Sequence, residues 1–597
     1  MNRLVENDDE VVFYMRSIKK RMISVCAVMT VCLCLLAARL AELQLFQTEA
    51  FGSHHINLIE ESIKQRTQSV LIDDGRGSLT DRNGLPLSAA AQPSLVLFPF
   101  IRGLNWPIKD IASIAGISEG LLSSLVSNAK KPLILSQKDG ADLTQADLET
   151  INKLKVPGIY GVMVQDRKEG HEASHIIGYT AQMPEVAKKR YPDKELPYNL
   201  KIGASGLQKA FDEFLLPESE TKLLYHVDAN GNPLFGVNVK YIADSSAHFP
   251  VKIKTTLDSE MQQLTEDALT RSGVQKGGAV LIDIETNSLL AMASKPDLNV
   301  NGSPASLRNY TLERMKPGSI FKIVTAAAAI ENGLDHPAVR YNCNLNPYGA
   351  KEEDRQLGPL SFDQSFSRSC NYTFNVLSNE LIKKAPDYME DTAEKLGLIH
   401  PVGWRGNVFH YSGFKQFPEE KEGSVWSDQK DKGAPKAVAQ TAIGQKDVQV
   451  TPLAIANMMA TIGRGGNGLE VKTAEDILYK NGTSMYHFPD HELSEAEIDR
   501  YTVQKLQKLL RLVVTDEKGT GAKFRTLPFE VSGKSGTAET GKKDSEGHNL
   551  INKWFAGYFP SGNPKYALVV VDADTIASRA AAGQVFYDIA KGLDELE

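Results

Sequence analysis

Three short motifs hold the residues whose side chains could do chemistry together. The first, MKPGSIFKIV, places Ser319 and Lys322 three residues apart, directly after Pro317 and Gly318. Residues i and i+3 share one face of a helix, so the lysine can lie beside the hydroxyl. A serine hydroxyl becomes a nucleophile when a base removes its proton, and a lysine buried near other positive charge can be that base. The motif therefore predicts an activated serine in the first turn of a helix.

The second motif, SFSRSCNYTF, offers the hydroxyl of Ser369 and the amide of Asn371 on a predicted loop. A hydroxyl can relay a proton to a leaving amine, while the amide can hold both a lysine and a substrate. Cys370 lies between the two. We expect Cys370 at the cleft or its wall, which argues against a disulfide bond with Cys343.

The third motif, FEVSGKSGTAET, follows a short apolar stretch, as an edge strand would. Lys534 offers a positive charge for a carboxylate, and Thr537 offers a hydroxyl and a backbone N–H. Ser535 lies between them, and Gly536 would let a ligand backbone approach the strand closely. The motif therefore predicts a binding strand for a peptide that ends in a carboxylate.

Each motif alone is weak evidence, because the chain contains similar short patterns elsewhere. Ser127 and Lys130 repeat the first spacing in a polar stretch, where an exposed helix face is the simpler interpretation. Residues 561–563 repeat the pattern of the second motif, and a simple turn is the simpler interpretation there. Residues 480–483 resemble the third motif but fit an Asn-Gly hairpin turn. The specificity lies in the order of the three motifs and in the local context of each.

The elements that must position these residues follow from hydrophobic periodicity. Residues 320–330 are apolar and rich in alanine, which predicts a buried helix ending near Gly333. Residues 259–273 predict an amphipathic helix, and residues 277–296 predict a β-hairpin around a Glu-Thr-Asn turn. The pattern changes near residue 250, where we place a domain boundary.

The N-terminus predicts a membrane anchor. Residues 22–38 carry no charge, and apolar residues continue to residue 46, which is enough to cross a hydrocarbon core if Arg39 lies at the interface. Basic residues at positions 16–21 predict a cytoplasmic N-terminus and an exported remainder. A cleaved signal peptide is the alternative.

Composition excludes several other classes. The 597 residues include 67 basic and 74 acidic ones, a net charge of −7, so a nucleic-acid partner is not expected. Five cysteines are too few for a disulfide scaffold. The 42% hydrophobic content is that of folded domains with ample core.

The order Ser-x-x-Lys, Ser-x-Asn, Lys-x-Gly is assigned to penicillin-binding proteins and class A β-lactamases. The chain resembles a class B penicillin-binding protein, a membrane-anchored D,D-transpeptidase of peptidoglycan synthesis. Four further segments carry the resemblance: RGSLTDRNGLPLS, ASHIIGYT and ASGLQKAFDEFL before residue 250, and QVTPLAIANMMATIGRGG after it. Departures from the family pattern are Cys370 as middle residue of the second motif, Ser535 where Thr is commoner, Gln208 in place of Glu, and Lys446 in place of Gly.

The resemblance implies a multidomain α+β architecture. Its parts are a cytoplasmic tail (1–21), a transmembrane anchor (22–45), an elongated α+β pedestal, or dimerisation-like, domain (46–250), and a transpeptidase domain (251–597). The last would be an antiparallel sheet flanked by helices, as in serine β-lactamases. The protein would be single-pass in the cell membrane, with its catalytic domain outside the cytoplasm.

The resemblance also implies the site roles. The catalytic residues would be Ser319 as nucleophile, Lys322 as base, Ser369 as proton relay, Asn371 as orienting amide and Lys534. The substrate-binding residues would be Ser535, Gly536 and Thr537. No metal or organic cofactor is required.

Stem peptides, β-lactams, the cell membrane, a glycan polymerase and proteins of a division or elongation complex are the implied partners. A D,D-carboxypeptidase, a β-lactamase-like hydrolase using Glu380, Glu390 or Glu394, and a non-catalytic β-lactam sensor or scaffold are the alternatives.

Overall fold

The computed structural model describes residues 5–596, apart from 49–50, 53–56, 168–171, 229–233, 235–238, 244–245, 247, 354–355 and 494–496. The predicted tail, residues 1–21, therefore lies partly outside the described residues. The helices are α1 (Val5–Ala41), α2 (Leu58–Gln65), α3 (Ile108–Ala115), α4 (Glu119–Asn128), α5 (Gln145–Lys153), α6 (Ser174–Ile177), α7 (Pro184–Arg190), α8 (Gly206–Ala210), α9 (Asp212–Leu215), α10 (Ser259–Arg271), α11 (Lys322–Glu331), α12 (Phe362–Ser367), α13 (Asn371–Lys384), α14 (Tyr388–Lys395), α15 (Pro435–Thr441), α16 (Pro452–Gly463), α17 (Arg500–Thr515) and α18 (Ala582–Leu596).

The strands follow the same chain order. They are β1 (Thr67–Asp73), β2 (Ser78–Thr80), β3 (Ala89–Leu97), β4 (Leu133–Leu135), β5 (Ile159–Arg167), β6 (Thr180–Gln182), β7 (Lys201–Gly203), β8 (Thr221–His226), β9 (Lys240–Ile242), β10 (Lys252–Thr255), β11 (Gly277–Asp283), β12 (Leu289–Lys295), β13 (Tyr341–Asn342), β14 (Pro359–Leu360), β15 (Arg405–Val408), β16 (Tyr411–Lys415), β17 (Ala474–Leu478), β18 (Ser484–His487), β19 (Ser532–Lys543), β20 (Asn549–Phe559) and β21 (Tyr566–Thr575).

A five-stranded antiparallel sheet, in the order β12-β11-β21-β20-β19, is the centre of the C-terminal part. Successive side chains of a strand point to opposite faces, and both faces are apolar here. Val280 and Val569 pack on one side with the buried helices α11 and α16. Leu281 and Val570 pack on the other side with α10 and α18. The sheet is therefore the middle layer of three, and the predicted α+β architecture is confirmed.

The predicted elements of this part are confirmed. The hairpin of residues 277–296 is the β11–β12 pair, and the amphipathic helix is α10, whose N-cap Asp258 accepts from the backbone N–H of Glu260 and Met261. The predicted edge strand is β19, which pairs with β20 on one side only. Because β19 is at the edge, its other side is free to face a cleft.

Two smaller sheets carry the N-terminal part. One face of the sheet β4-β3-β5 packs against α3, α4 and α5. Its other face packs against the sheet β1-β8-β9 through an aromatic cluster around Phe98, which follows β3, and Tyr225 of β8. A third sheet, β18-β17-β10-β2, joins chain segments from both sides of residue 250, because β2 pairs in parallel with β10. The two parts of the chain thus share hydrogen bonds as well as core.

A buried polar cluster in the N-terminal part explains how Gln208 is accommodated. The Oε1 atom of Gln208 accepts from Nε and Nη2 of Arg76 at 3.2 and 2.9 Å. Arg76 forms its ion pair with Asp212 instead, at 2.8 Å. Gln208 therefore keeps the hydrogen bonds that a glutamate would make and leaves the charge balance to Asp212.

The N-terminal helix is long, apolar and almost wholly exposed. The most apolar 18-residue stretch within Met15–Phe46 has a mean hydropathy of 2.3 and no buried share. Among the described residues, Met15–Phe46 is the one segment long and apolar enough to cross a membrane. Arg39 forms an ion pair with Glu42 at 2.5 Å near the end of the apolar run. An exposed apolar helix of this length needs apolar surroundings.

Candidate active site

Ser319 lies in a short 3₁₀ turn, Gly318–Ile320, that precedes α11. We expected one helix to carry both Ser319 and Lys322, but the α-helix begins only at Lys322. The physical reason is Gly318, which has a φ of 55° and packs so closely on β19 that a Cβ atom would come within 2.2 Å of the carbonyl oxygen of Thr537. The turn thus presses the serine against the edge strand.

Lys322 is fully buried at the start of α11. Its ammonium donates to the Oδ1 atom of Asn371 at 2.7 Å, to the backbone oxygen of Ser369 at 3.0 Å and to the Oγ atom of Ser369 at 3.1 Å. Three acceptors match the three donors of an ammonium group, so the position of the nitrogen is strongly fixed. The first motif and the second are therefore in direct contact.

Ser369 occupies a tight turn between α12 and α13. The prediction of a loop is correct for Ser369, whose φ of 59° is in the left-handed region, but Asn371 is the first residue of α13. A non-glycine residue in this region is uncommon and needs surrounding contacts to hold it there. The turn aims the Ser369 hydroxyl and the Asn371 amide at the same lysine.

The expectation that Cys370 stays unpaired is wrong. Cys343 and Cys370 form a disulfide bond, and both side chains are buried. Cys370 does not line the cleft, because its side chain points into the core, where Thr373 donates to its Sγ atom at 3.2 Å. The disulfide bond ties the turn between Ser369 and Asn371 to the segment that follows β13.

Lys534 approaches the same hydroxyl from the opposite side. It is fully buried on β19, and its ammonium donates to Oγ of Ser369 at 3.2 Å and to the backbone oxygen of Ser535 at 3.0 Å. The Ser369 hydroxyl oxygen therefore accepts from lysines of both the first and the third motif. Three segments that are far apart in the sequence meet at one oxygen atom.

Above these lysines lies an open cleft of about 790 Å³. Of the predicted site residues, Ser319, Ser369, Asn371, Ser535 and Thr537 line it. The missing side chain of Gly536 makes room for the turn that carries Ser319, because a Cβ atom there would come within 2.6 Å of the carbonyl oxygen of Pro317. The close approach of a ligand backbone to Gly536 stays a prediction.

The residues outside the three motifs that also line the cleft include Gln445, Lys523 and Lys553, and the sequence gives no strong sign of them. The amide of Gln445 donates to the backbone oxygen of Thr537 and accepts from the backbone N–H of Glu539, both at 3.2 Å. Gln445 thus occupies part of the free edge of β19. The signal that could have found it is its place directly before Lys446, at the departure from the family pattern.

Lys446 adopts a φ of 52°, which explains why glycine is usual there. Its ammonium pairs with Asp447 at 2.6 Å and with Asp431, and these hydrogen bonds raise its pKa. Two carboxylates thus compensate the charge that the departure from glycine introduces.

The arrangement of edge strand, buried helix and turn around one cleft defines a transpeptidase domain of the penicillin-binding type. The family model for the penicillin-binding protein transpeptidase domain matches residues 277–591, and the model for the penicillin-binding protein dimerisation domain matches residues 72–245. The two matches lie on the two sides of residue 250.

The chain belongs to the class B penicillin-binding proteins. It is 24% identical to the peptidoglycan D,D-transpeptidase FtsI of Escherichia coli K12, over 95% of this chain and 89% of that protein. It is 22% identical to the peptidoglycan D,D-transpeptidase MrdA of Acinetobacter baumannii, over 91% and 82%. A solved structure described as "Structural coordination of polymerization and crosslinking by a peptidoglycan synthase complex" superposes with a TM-score of 0.63 at 21% identity, over 97% of this chain and 99% of that one. The family resemblance and the transpeptidase assignment are thereby confirmed.

Proposed function

We propose that the protein cross-links stem peptides of peptidoglycan through an acyl-enzyme on Ser319. The observation that carries the proposal is the convergence of Lys322 and Lys534 on the Ser369 hydroxyl, at 3.1 and 3.2 Å, beneath a cleft that Ser319 lines. A path for a proton thus exists between the base and a hydroxyl that faces the substrate.

The first half of the reaction breaks the bond between the two terminal D-alanines. The Oγ atom of Ser319 attacks the carbonyl carbon, and its proton passes to Lys322, which accepts it as a neutral amine and becomes an ammonium. The proton then moves through the Ser369 hydroxyl to the nitrogen of the departing D-alanine. Backbone N–H groups of Ser319 and Thr537 stabilise the oxyanion.

Binding groups orient the donor peptide along β19. Lys534 and Thr537 receive its terminal carboxylate, Ser535 and Gly536 belong to the strand that it follows, and Asn371 holds both Lys322 and the substrate amide. In the second half of the reaction, the amine of a neighbouring stem peptide attacks the ester and releases Ser319. A β-lactam acylates the same oxygen and leaves slowly. These steps use no metal or organic cofactor.

The same proposal gives the protein a place outside the cytoplasm. We propose that α1 is a single membrane anchor with a cytoplasmic N-terminus and that residues 251–597 form the catalytic domain on the other side, joined by the pedestal of residues 46–250. The buried disulfide bond supports this orientation, because such bonds persist in oxidising compartments and are rare in the cytosol. A glycan polymerase is the expected membrane partner, and the similarity to a chain of a peptidoglycan synthase complex that polymerises and cross-links supports it.

Covalent labelling tests the nucleophile. We expect labelled benzylpenicillin to modify the full chain in detergent at Ser319, and we expect Ser319→Ala to lower the labelling rate by about 10⁴-fold or more with little change in melting temperature. Ser127→Ala is the matched control, because Ser127 is exposed on α4 and Lys130 follows it at the same spacing as Lys322 follows Ser319. Undiminished labelling of Ser319→Ala would show that another residue is the nucleophile.

A second measurement separates transfer from hydrolysis. A thioester donor is followed with and without a D-amino acid acceptor, and we expect the acceptor to be incorporated. Hydrolysis alone at saturating acceptor would favour a carboxypeptidase. A β-lactamase needs a base for water, and Glu380, Glu390 and Glu394 are not among the residues that line the cleft. Labelling without any turnover would indicate a sensor or scaffold.

A further inference from the structure

Lys553 lies on β20, directly opposite Thr537 of the edge strand, and lines the cleft. Its ammonium donates to Oγ1 of Thr537 at 2.9 Å. The motifs assign no role to this lysine, although it touches the hydroxyl that the proposed function gives to the substrate carboxylate.

The direction of this hydrogen bond constrains the threonine. An ammonium group has donors and no acceptor, so Oγ1 of Thr537 must accept from Lys553. The proton of the Thr537 hydroxyl must then point elsewhere, and the side chain of Thr537 is exposed to the cleft. Within the described part of the chain, no residue accepts that proton. Lys553 therefore turns Thr537 into a donor that is oriented before a ligand arrives.

The charge of Lys553 also lacks compensation. Among the described residues, no carboxylate comes within ion-pair distance of its ammonium, and burial lowers its pKa. A second cation, Lys523, lines the same cleft and is close enough to Lys553 for the two charges to repel each other. Two neighbouring cations beside an oriented hydroxyl favour an anionic group of the ligand.

We infer that Lys553 is a positioning residue for the terminal carboxylate of the acyl donor. It fixes the Thr537 hydroxyl as a donor to the carboxylate and adds its own positive charge at that end of the binding strand. The inference rests on the proposed function, because that function places the carboxylate at Thr537. It adds to the strand motif a residue from the neighbouring strand.

The experiment compares ligands with and without the carboxylate. Acylation rates of the full chain are measured with benzylpenicillin and with its methyl ester, for the unchanged protein and for Lys553→Met. We expect the variant to react about 10- to 100-fold more slowly with the acid, the effect of one charge-assisted hydrogen bond, and within about twofold of the unchanged protein with the ester. Lys553→Arg, which keeps the donor and the charge, should recover most of the rate with the acid.

Matched controls separate this role from a structural one. Lys565→Met removes an exposed lysine from the turn between β20 and β21. It should leave the acylation rates with the acid and with the ester unchanged. If Lys553→Met slows the acid and the ester equally, the lysine only holds the strands together and the inference is wrong. If the unchanged protein is not acylated at Ser319 at all, the proposed function fails instead, so the two failures are distinct.

Discussion

The lysines of the active site fall into two groups that share a charge and differ in their surroundings. The cleft floor comprises Lys322 and Lys534, both fully buried and both bonded to Ser369. The cleft rim comprises Lys523, which is exposed, and Lys553, which is half-buried. On the floor, each donor has a fixed acceptor, so removal of a lysine leaves buried polar atoms unpaired. On the rim, water can replace a lost contact. We therefore expect the floor to determine whether the proposed reaction occurs and the rim to affect which ligands bind.

The floor is held from two sides. The disulfide bond anchors Cys370 on one side of the Ser369 turn. On the other side, Asp516 accepts from Oγ of Ser367 at 2.8 Å and from Nε of Arg368 at 2.9 Å. A backbone with a left-handed residue at Ser369 is kept in place by these contacts. Among the described residues, no hydrogen bond or ion pair holds the side chain of Lys523.

The largest expected effect is that of Lys322→Met on the floor. The variant removes the proposed base, takes a donor from the backbone oxygen of Ser369 and from Oδ1 of Asn371, and leaves Oγ of Ser369 with Lys534. We therefore expect acylation to slow by about 10²–10⁴-fold. Penicillin labelling against time, with the melting temperature as a check on folding, measures it. Lys565→Met is the control. Acylation within tenfold of the unchanged protein would contradict both the base role and the contrast between floor and rim.

A second prediction tests whether the floor needs its bracing. The double variant Cys343→Ser with Cys370→Ser removes the disulfide bond but no group that faces the cleft. Unfolding should become easier by about 3 kcal/mol, and acylation should slow about tenfold or more because the turn carrying Ser369 can shift. Thermal unfolding and labelling rates are the two measurements.

Cys32→Ser is the matched control for this double variant, because Cys32 is a free cysteine of the N-terminal helix. A less stable protein that is acylated at the normal rate would show that the contacts of Asp516 hold the turn on their own. The difference between floor and rim would then depend on the contacts of Asp516 and not on the disulfide bond.

The local sequence was sufficient to predict the helices and hairpins that depend on neighbouring residues in the chain. The β11–β12 hairpin and the hairpin at residues 481–482 follow from alternation and turn residues, and both are present. The buried helix α11 follows from its apolar run. The start of that helix does not, because the positive φ of Gly318 is imposed by the approach of β19, a contact between distant segments.

The features of the candidate site also divide into those that the local sequence predicts and those that depend on contacts between distant segments. The three motifs were found because their residue types and order are specific. The disulfide bond was not, because a pairing between residues 343 and 370 depends on how α13 packs against the segment after β13. Lys553 gives no signal in the sequence, since a single lysine in a strand usually indicates a solvated face. Its importance depends on the strand register that sets it opposite Thr537.

The smallest expected effect is that of Lys523→Met on the rim. Lys523 lines the cleft, and none of the contacts described for the site residues of the three motifs involves it, so it should act through its field. We expect acylation by anionic β-lactams to slow about two- to threefold at low ionic strength and to match the unchanged protein at high salt. Although the residue as a whole is exposed, partial desolvation of its ammonium, together with the charge of Lys553, lowers the pKa of Lys523. Its charge, and with it the difference between the two proteins, should therefore disappear as the pH rises through that lowered pKa. A loss of rate that is independent of salt would mean that Lys523 contacts the ligand directly. The rim lysine would then act through direct contacts, as the floor lysines do.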